Sequence, residues 1–316
     1  MKTVLMESLD ISDELLAELE KPFVEQGMVF ASYSRTTDPA VLVKEAADAD
    51  VMILANMPMP ADVIRQCGKL KFINVAFTGV DHVGLDAAKG KGIAVSNASG
   101  YSTEAVAELV LGMVISMYRN MRQVEDRART GGTKDGLVGF EIAGKTVGII
   151  GLGKIGSRSA ELFHAFGAEV IAYTRTPAHN HLDYVTCLGL EEVLAKSDIV
   201  VLHCPLSDAT RGMINAGRLA LMKPTAILVN AARGPVVNTQ DLADALNAGT
   251  IAGACLDVFD KEPPLPADEP LLKAKNTLVT PHVAFATKES MKLRAEIVFD
   301  NLKAWLEGNQ DRKSVV

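Results

Sequence analysis

Three glycines between two apolar runs constrain this fold more than any other feature of the sequence. Gly151, Gly153 and Gly156 have GxGxxG spacing, directly after the apolar run 146–150 and before the apolar run 169–173. A strand, a glycine turn, a helix and a second strand in this order are typical of a dinucleotide-binding βαβ unit. The first glycine makes a tight turn, the second admits the pyrophosphate, and the third lets the helix pack on the strand. An ordinary glycine-rich turn is the alternative, and this context favours the dinucleotide.

The residues around this turn predict the rest of the cofactor site and its specificity. Lys154 and Ile155 open the helix, and we expect them to contact the cofactor together with the glycines. Where an NAD site has a carboxylate for the ribose 2′-hydroxyl, this chain has Thr174, followed by Arg175 and Thr176. A missing carboxylate removes repulsion of a 2′-phosphate, and an arginine pairs with one. We therefore predict a preference for NADPH over NADH. The alternative is a solvent-exposed Arg175 in a site that still accepts NAD.

Apolar runs alternate with amphipathic segments on both sides of this unit. Such alternation predicts α/β domains, each with a parallel sheet covered by helices on both faces. A chain of 316 residues is long enough for about two of them. We predict one domain from residues 1–99 plus 284–316 and a second from residues 100–283, with the helical segment 288–307 returning to the first. The predicted strands are 2–6, 29–33, 51–54, 72–75, 93–95, 146–150, 169–173, 199–202, 226–230, 253–257 and 277–280.

The composition argues against several classes of partner. The net charge of −7 disfavours nucleic acid or an anionic membrane as the main partner. No apolar segment reaches the roughly 20 residues that span a bilayer. The four cysteines, Cys67, Cys187, Cys204 and Cys255, are scattered and lack metal-ligand spacing. We therefore expect a cytoplasmic protein with reduced, mostly buried thiols and no metal.

Four polar residues of the second domain follow its predicted strands. Arg233 comes after 226–230, Asp257 ends 253–257, Glu262 follows five residues later, and His282 comes after 277–280. The carboxyl ends of parallel strands meet at one edge of the sheet, where the glycine turn also lies. Reducing a carbonyl by hydride needs a cation to polarise the oxygen, an acid to protonate it and a group that tunes the acid. Singly, each residue is also explained as a surface or loop residue, whereas together they predict a catalytic set of Arg233, Glu262 and His282.

Several segments, in this order and spacing, resemble the D-isomer-specific 2-hydroxyacid dehydrogenase family. They are GVDHV (79–83), TEAVAELVLGMV (103–114), GLGKIG (151–156), HCPL (203–206), NAARG (230–234), LDVFDKEPP (256–264) and TPH (280–282). The resemblance covers nearly the whole chain. It implies two doubly wound parallel-sheet domains, a Rossmann dinucleotide-binding domain inserted in a flavodoxin-like substrate domain. It also implies an NAD(P)-dependent enzyme that interconverts a small 2-ketoacid and a D-2-hydroxyacid.

The resemblance further implies roles for single residues. Arg233 would bind the substrate carboxylate and polarise the carbonyl, and His282 would be the acid in reduction and the base in oxidation. Glu262 would accept the other imidazole N–H and raise the pKa of His282. The implied cofactor contacts are Val106 and Asp257 near the nicotinamide, Pro205 and Thr210 on the adenine side, and Ala231. The implied substrate contacts are Phe77, Thr78, Gly79 and Asn56.

The substrate, the direction of the reaction and the pathway stay open. The loop 56–59 carries no Lys or Arg, which disfavours a phosphorylated substrate unless a basic residue comes from elsewhere in the fold. We favour a glyoxylate/hydroxypyruvate-type reductase, with phosphoglycerate dehydrogenase as an alternative. A dinucleotide-regulated binding protein of the C-terminal-binding corepressor type is a second alternative, since it shares the Arg, Glu and His set. Formate dehydrogenase is disfavoured because those enzymes lack an acid where Glu262 stands. Members of the family typically dimerise through the region of the predicted helix 102–118 and the segment that follows it to residue 129, so the resemblance implies a homodimer.

Overall fold

The structure, a computed structural model, describes residues 1–262, 264–309 and 315. The twelve strands are β1 (Lys2–Leu5), β2 (Val29–Ser32), β3 (Val51–Leu54), β4 (Phe72–Val75), β5 (Ala94–Asn97), β6 (Thr146–Ile150), β7 (Glu169–Tyr173), β8 (Thr186–Cys187), β9 (Ile199–Leu202), β10 (Ile227–Asn230), β11 (Gly253–Leu256) and β12 (Thr277–Val279), counted over those residues. The α-helices of the same residues are α1 (Asp13–Val24), α2 (Pro39–Ala46), α3 (Ala61–Gln66), α4 (Leu85–Gly90), α5 (Thr103–Tyr118), α6 (Met121–Arg129), α7 (Lys154–Ala165), α8 (Leu190–Lys196), α9 (Ala216–Leu219), α10 (Thr239–Ala248), α11 (Pro270–Lys273) and α12 (Lys288–Leu306).

The chain divides into two compact units. The first is Met1–Ser102 with Ala286–Val316, and the second is Thr103–Phe285. The domain boundaries predicted from the sequence lie after residues 99 and 283. The assignment of these two ranges to a substrate domain and a dinucleotide-binding domain stays a prediction. Residues 310–314 and 316 of the predicted range 284–316 lie outside the described residues.

The first unit has a parallel sheet with the strand order β2-β1-β3-β4-β5. This is the flavodoxin-like order. The strand β2 lies at the edge beside β1, and the strands β3, β4 and β5 follow one another on the other side of β1. All residues of β3 and β4 are buried, as expected for central strands covered on both faces. Helix α12 packs on this sheet through Asn74, whose amide donates to the backbone oxygen of Val298 at 2.7 Å.

The second unit has a parallel sheet with the order β12-β11-β10-β9-β6-β7-β8. Read from the other edge, the first six strands have the Rossmann order, with one further strand after them. Alternate residues of β9 enter separate cores, Val200 and Leu202 on one face and Ile199 and Val201 on the other. Both sheets confirm the predicted fold class of two parallel-sheet α/β units.

Local signals set where the helices begin and end. Ser12 caps α1 by accepting from the backbone N–H of Leu15, so the helix begins at Asp13. Gly249 ends α10 in the left-handed conformation with φ of 74°. Thr287 caps α12 in a reciprocal capping box. Strand β8 was not predicted, since two residues are too short to show a period.

Two further expectations concern the cysteines and membranes. Cys67, Cys204 and Cys255 are buried, Cys187 is half-buried, and all four are free thiols, which agrees with the expected mostly buried thiols. Within the described ranges, no helix combines the length and the apolar character needed to cross a membrane.

Candidate active site

The glycine turn follows β6 and leads into α7, and its three glycines differ in their surroundings. Gly151 has φ of 103°, and its N–H donates to the backbone oxygen of Tyr173 at 2.8 Å. A Cβ on Gly156 would lie 2.0 Å from the backbone oxygen of Gly151, so α7 packs directly on the turn. A Cβ on Gly153 would meet nothing within 4 Å. These are the three surroundings that a turn, a cofactor approach and a helix-on-strand contact require.

The first turn of α7 fits an anionic group. Gly153 is the N-cap residue and has no side chain to satisfy the helix N–H groups. Lys154 is exposed at the first helical position, and Ile155 is half-buried against the core. The helix N-terminus therefore offers N–H donors and a partial positive charge to a pyrophosphate. The residues present fit a dinucleotide.

The residues after β7 face solvent. Thr174 is half-buried, whereas Arg175 and Thr176 are exposed. Within the described part of the chain, neither a hydrogen bond nor an ion pair engages the Arg175 side chain. Its guanidinium is therefore available to an external anion.

The segment after β9 borders the glycine turn. The backbone N–H of His203 donates to Ile150 at 2.8 Å, and its Nε2 lies 2.8 Å from the Ser159 hydroxyl of α7. Burial lowers the pKa of His203 to about 4, so the ring is neutral at physiological pH. The Thr210 hydroxyl donates to the backbone oxygen of Pro205 at 2.6 Å. Thr210 therefore holds the loop that contains Pro205.

Two other predicted cofactor contacts lie on the same unit. Val106 is buried on α5 and belongs to the core on one face of the sheet. Ala231 directly follows β10 and is half-buried against that same core.

Arg233 lies in the loop after β10, which Asn230 holds. The Asn230 amide donates to the backbone oxygen of Arg233 at 2.9 Å and accepts from the N–H of Ala232 at 3.1 Å. A Cβ on Gly234 would lie 2.0 Å from the backbone carbon of Phe259. The loop that carries Arg233 therefore packs against the loop after β11, which carries Glu262.

Glu262 and His282 form an ion-pair geometry at this edge. Oε2 of Glu262 lies 2.5 Å from Nδ1 of His282, and the two side chains are 18% and 20% exposed. Oε1 of Glu262 accepts from the backbone N–H of Phe259. Each carboxylate oxygen of Glu262 therefore has a partner. The carboxylate in turn orients the His282 ring with Nδ1 toward Glu262.

Asp257 holds the backbone that carries His282. It is fully buried, and its carboxylate accepts from the Thr280 hydroxyl at 2.5 Å and from the N–H groups of Val283 and Ala284 at 2.9 Å each. Burial raises the pKa of Asp257, and these hydrogen bonds oppose that shift. His282 has a φ of 54°, uncommon for a residue with a side chain, and its N–H donates to the Asp257 backbone oxygen at 2.7 Å. Asp257 thus positions the backbone of His282, a role that the sequence did not predict.

The predicted substrate contacts Phe77, Thr78 and Gly79 follow β4 in the first unit. Phe77 is buried, and its ring packs edge-on against His82. Asn97 fixes this loop by donating to the Thr78 backbone oxygen at 2.8 Å. Within the described part of the chain, the backbone N–H groups of Thr78 and Gly79 make no hydrogen bond. They are therefore suited to donate hydrogen bonds to the oxygens of a carboxylate.

Asn56, the other predicted substrate contact, is positioned by Glu7 and Arg35, two residues that the sequence did not predict for the site. Glu7 is buried, and its Oε1 accepts from the N–H groups of Ala55 at 2.7 Å and Met57 at 2.8 Å. Nη1 of Arg35 lies 2.5 Å from Oε2 of Glu7 and 2.6 Å from Oδ1 of Asn56. A basic residue thus does reach the loop 56–59 from elsewhere, so the lack of Lys or Arg in its sequence does not by itself disfavour a phosphorylated substrate. Glu7 is the second residue after the strand β1, and the same rule of polar residues after strand ends that predicted Arg233 could have predicted Glu7.

Among the described residues, no group of three or more His, Cys, Asp and Glu side chains could hold a metal ion. The arrangement at the edge of the second sheet combines a dinucleotide turn, a cation and a carboxylate-supported imidazole. Residues 111–284 match the family described as D-isomer specific 2-hydroxyacid dehydrogenase, NAD binding domain. The chain belongs to the D-isomer-specific 2-hydroxyacid dehydrogenase family.

Members of this 2-hydroxyacid dehydrogenase family are similar over most of the chain. A hydroxypyruvate reductase of Blautia hydrogenotrophica is 37% identical over 290 residues, which cover 88% of this chain and 89% of the relative. A glyoxylate reductase of Thermofilum pendens is 38% identical over 276 residues, covering 84% and 81%. The solved structure of D-lactate dehydrogenase from Aquifex aeolicus, complexed with NAD and lactic acid, is 27% identical, has a TM-score of 0.87 and covers 100% of this chain and 99% of that one. The predicted family and the prediction of a nicotinamide-dependent dehydrogenase are confirmed.

Proposed function

We propose that this dehydrogenase reduces a small 2-ketoacid of the glyoxylate or hydroxypyruvate type to the D-2-hydroxyacid. The observation that carries the proposal is the contact of 2.5 Å between Glu262 and His282, at the same sheet edge as a glycine turn that fits a dinucleotide. Relatives that are 37% and 38% identical are a hydroxypyruvate reductase and a glyoxylate reductase, which supports this substrate class.

The contact between Glu262 and His282 supports a proposed route for the proton through one atom. Because Nδ1 of His282 faces Glu262, proton exchange with the substrate runs through Nε2. A reduced nicotinamide held at the glycine turn would supply the hydride that the carbonyl carbon takes up. His282 gives its Nε2 proton to the carbonyl oxygen, the C=O becomes CH–OH, and the imidazolium becomes neutral imidazole. Glu262 stabilises the imidazolium before transfer, and Arg233 polarises the carbonyl.

The two units have separate roles in this proposal. We assign the second unit to the dinucleotide, through the glycine turn, Thr174, Arg175, Pro205 and the other cofactor contacts predicted above. We assign the first unit to the substrate, through the N–H groups of residues 77–79 for its carboxylate and through Asn56 for its substituent.

The test is oxidation of the reduced cofactor by purified protein with glyoxylate, hydroxypyruvate and pyruvate, monitored by absorbance. We expect turnover with at least one of them and a loss of about 10²-fold or more in kcat/KM for His282→Ala. Tight dinucleotide binding with no turnover on any 2-ketoacid would move the assignment to the corepressor-like binding protein.

Within this function we propose that NADPH is preferred over NADH. The position after β7 has Thr174 in place of a carboxylate, and the exposed Arg175 guanidinium has no partner among the described residues. Arg175→Ala should lower the NADPH/NADH ratio of kcat/KM by about tenfold, since it removes a charge-assisted contact to the 2′-phosphate. Arg129→Ala is the matched control, because Arg129 is a surface arginine paired with Glu125. A wild-type ratio that favours NADH would contradict the proposal.

We also propose a homodimer. Large apolar side chains lie exposed on and after α6, with Met121 at 50%, Val138 at 78% and Phe140 at 58% exposure. A contiguous exposed apolar patch is typical of a surface that another protein covers, and we propose that these residues belong to such a patch. Sedimentation equilibrium should give twice the chain mass, and Val138→Asp together with Phe140→Asp should shift it toward the monomer. A wild-type monomer at micromolar concentration would contradict this.

A further inference from the structure

The pair Glu7 and Arg35 holds Asn56 in one orientation. Glu7 Oε1 accepts from the residues on either side, Ala55 and Met57, so the backbone at Asn56 is anchored before and after it. Arg35 Nη1 then contacts the Asn56 side chain at 2.6 Å. An arginine can only donate, so the contacted atom is the amide oxygen Oδ1. The Asn56 amide therefore has its Nδ2 as the group that remains to meet a ligand.

The Glu7–Arg35 pair also fixes the charge that a substrate would meet. Arg35 Nη1 lies 2.5 Å from the Glu7 carboxylate, whose side chain is 7% exposed. The positive charge of Arg35 is thus balanced by a buried negative charge. Next to Asn56 the loop offers a directed N–H donor with little net charge, which suits a neutral hydroxyl better than a second anion.

We propose that Asn56, oriented by Arg35 and Glu7, selects 2-ketoacids with a hydroxyl on C3 over those with a methyl group there. Glu7 and Arg35 are positioning residues in this selection, and Asn56 contacts the substrate. The proposal rests on the proposed 2-ketoacid reductase function and narrows its substrate class. A donor that is already fixed loses little entropy on binding, so it discriminates more strongly than a mobile one.

The experiment compares hydroxypyruvate with pyruvate, which differ only in that hydroxyl, and uses glyoxylate, which has no C3, as the reference. Wild-type kcat/KM should favour hydroxypyruvate by about tenfold or more. Arg35→Met and Glu7→Gln should lower that ratio by about fivefold, mainly through a higher KM for hydroxypyruvate. Asn56→Asp, which has the same shape but no donor, should lower it at least as much. Arg35→Lys should restore part of the ratio because the ammonium group can still donate to both partners.

Arg65→Met is the matched control, since Arg65 is an exposed arginine of the same unit paired with Asp62, and it should keep the wild-type ratio. General loosening of the fold would slow pyruvate and hydroxypyruvate alike, so it would not change the ratio. An unchanged ratio in Arg35→Met and Asn56→Asp, with glyoxylate still reduced, would overturn this inference alone. Faster wild-type turnover of 3-phosphohydroxypyruvate than of hydroxypyruvate would also overturn it, because Arg35 would then bind an anion. Failure of the wild type to reduce any of these acids would instead overturn the proposed function.

Discussion

Replacing Gly153 and Gly156 in turn by alanine should separate cofactor binding from folding. In Gly156→Ala the new methyl group would lie 2.0 Å from the backbone oxygen of Gly151, with the peptide carbon at 3.1 Å. Helix α7 must therefore move away by about 1 Å, and overpacking of this kind costs about 1–3 kcal/mol. For a unit of this size that lowers Tm by roughly 3–10 °C.

Gly153→Ala should behave in the opposite way. Its methyl group would meet no protein atom within 4 Å, and its φ of −85° is one that alanine adopts readily. The small loss at the N-cap and the gain from a less flexible unfolded chain nearly cancel, so the Tm without cofactor should change by no more than about 2 °C. The methyl group would, however, occupy the place where the pyrophosphate approaches.

Thermal denaturation with and without dinucleotide measures both effects. At a concentration of about 100 Kd the wild type gains about 2.7 kcal/mol, and a tenfold weaker variant gains about 1.4 kcal/mol. The cofactor-induced rise in Tm should therefore be halved or less in Gly153→Ala. A Gly153→Ala protein with the full rise, or a Gly156→Ala protein with wild-type Tm, would refute the reasoning from the turn geometry.

Three further predictions test the residues around the turn and the catalytic loops. Glu262→Gln should lower kcat/KM for 2-ketoacid reduction by about 10²-fold, because an amide cannot stabilise the imidazolium of His282. Steady-state kinetics of the variant and the wild type measure this, and a near-wild-type rate would contradict it. Asp257→Asn should lower the free energy of unfolding by about 1–3 kcal/mol, since the amide group of asparagine cannot accept all three of the hydrogen bonds that the carboxylate accepts. Chemical denaturation measures this, and an unchanged midpoint would refute it. The half-buried, neutral His203 has a pKa of about 4 against 6.5 in the unfolded chain, so the unfolded state gains a proton first and stability falls as pH drops from about 6.5 to 4. His203→Gln should remove roughly 2 kcal/mol of the wild-type loss of stability between pH 7 and 4.5. Identical pH profiles of Tm for the two proteins would show that the ring does not contribute.

The part of the site that lies close together in sequence could be predicted from it. The glycine turn is encoded within six residues, and its distinct surroundings follow from the strand and helix that flank it. The residues after the strands β10, β11 and β12 were predicted as one cluster because parallel strands end at the same sheet edge. The contacts between them, such as the packing of Gly234 on Phe259, required the structure.

The contacts of Asn56 were beyond the sequence for a physical reason. Glu7 is 28 residues from Arg35 and 48 from Ala55, and they meet only because β1 pairs with both β2 and β3. The residues next to Glu7 or Arg35 in the sequence form no local pattern that predicts this contact. The positioning role of Asp257 was likewise hidden, since its hydrogen bonds reach residues 280–284, more than 20 positions along the chain.

The close packing of Gly234 against Phe259 has a consequence for changing the enzyme's substrate range. The loops that carry Arg233 and Glu262 are in contact backbone to backbone, so neither accepts an insertion or a bulkier residue without displacing the other. Random libraries directed at these loops would yield mostly inactive variants. Asn56 and its neighbours after β3 belong to the chain's other unit. We therefore expect libraries placed there to vary the accepted 2-ketoacid and to leave the loops of Arg233 and Glu262 unchanged.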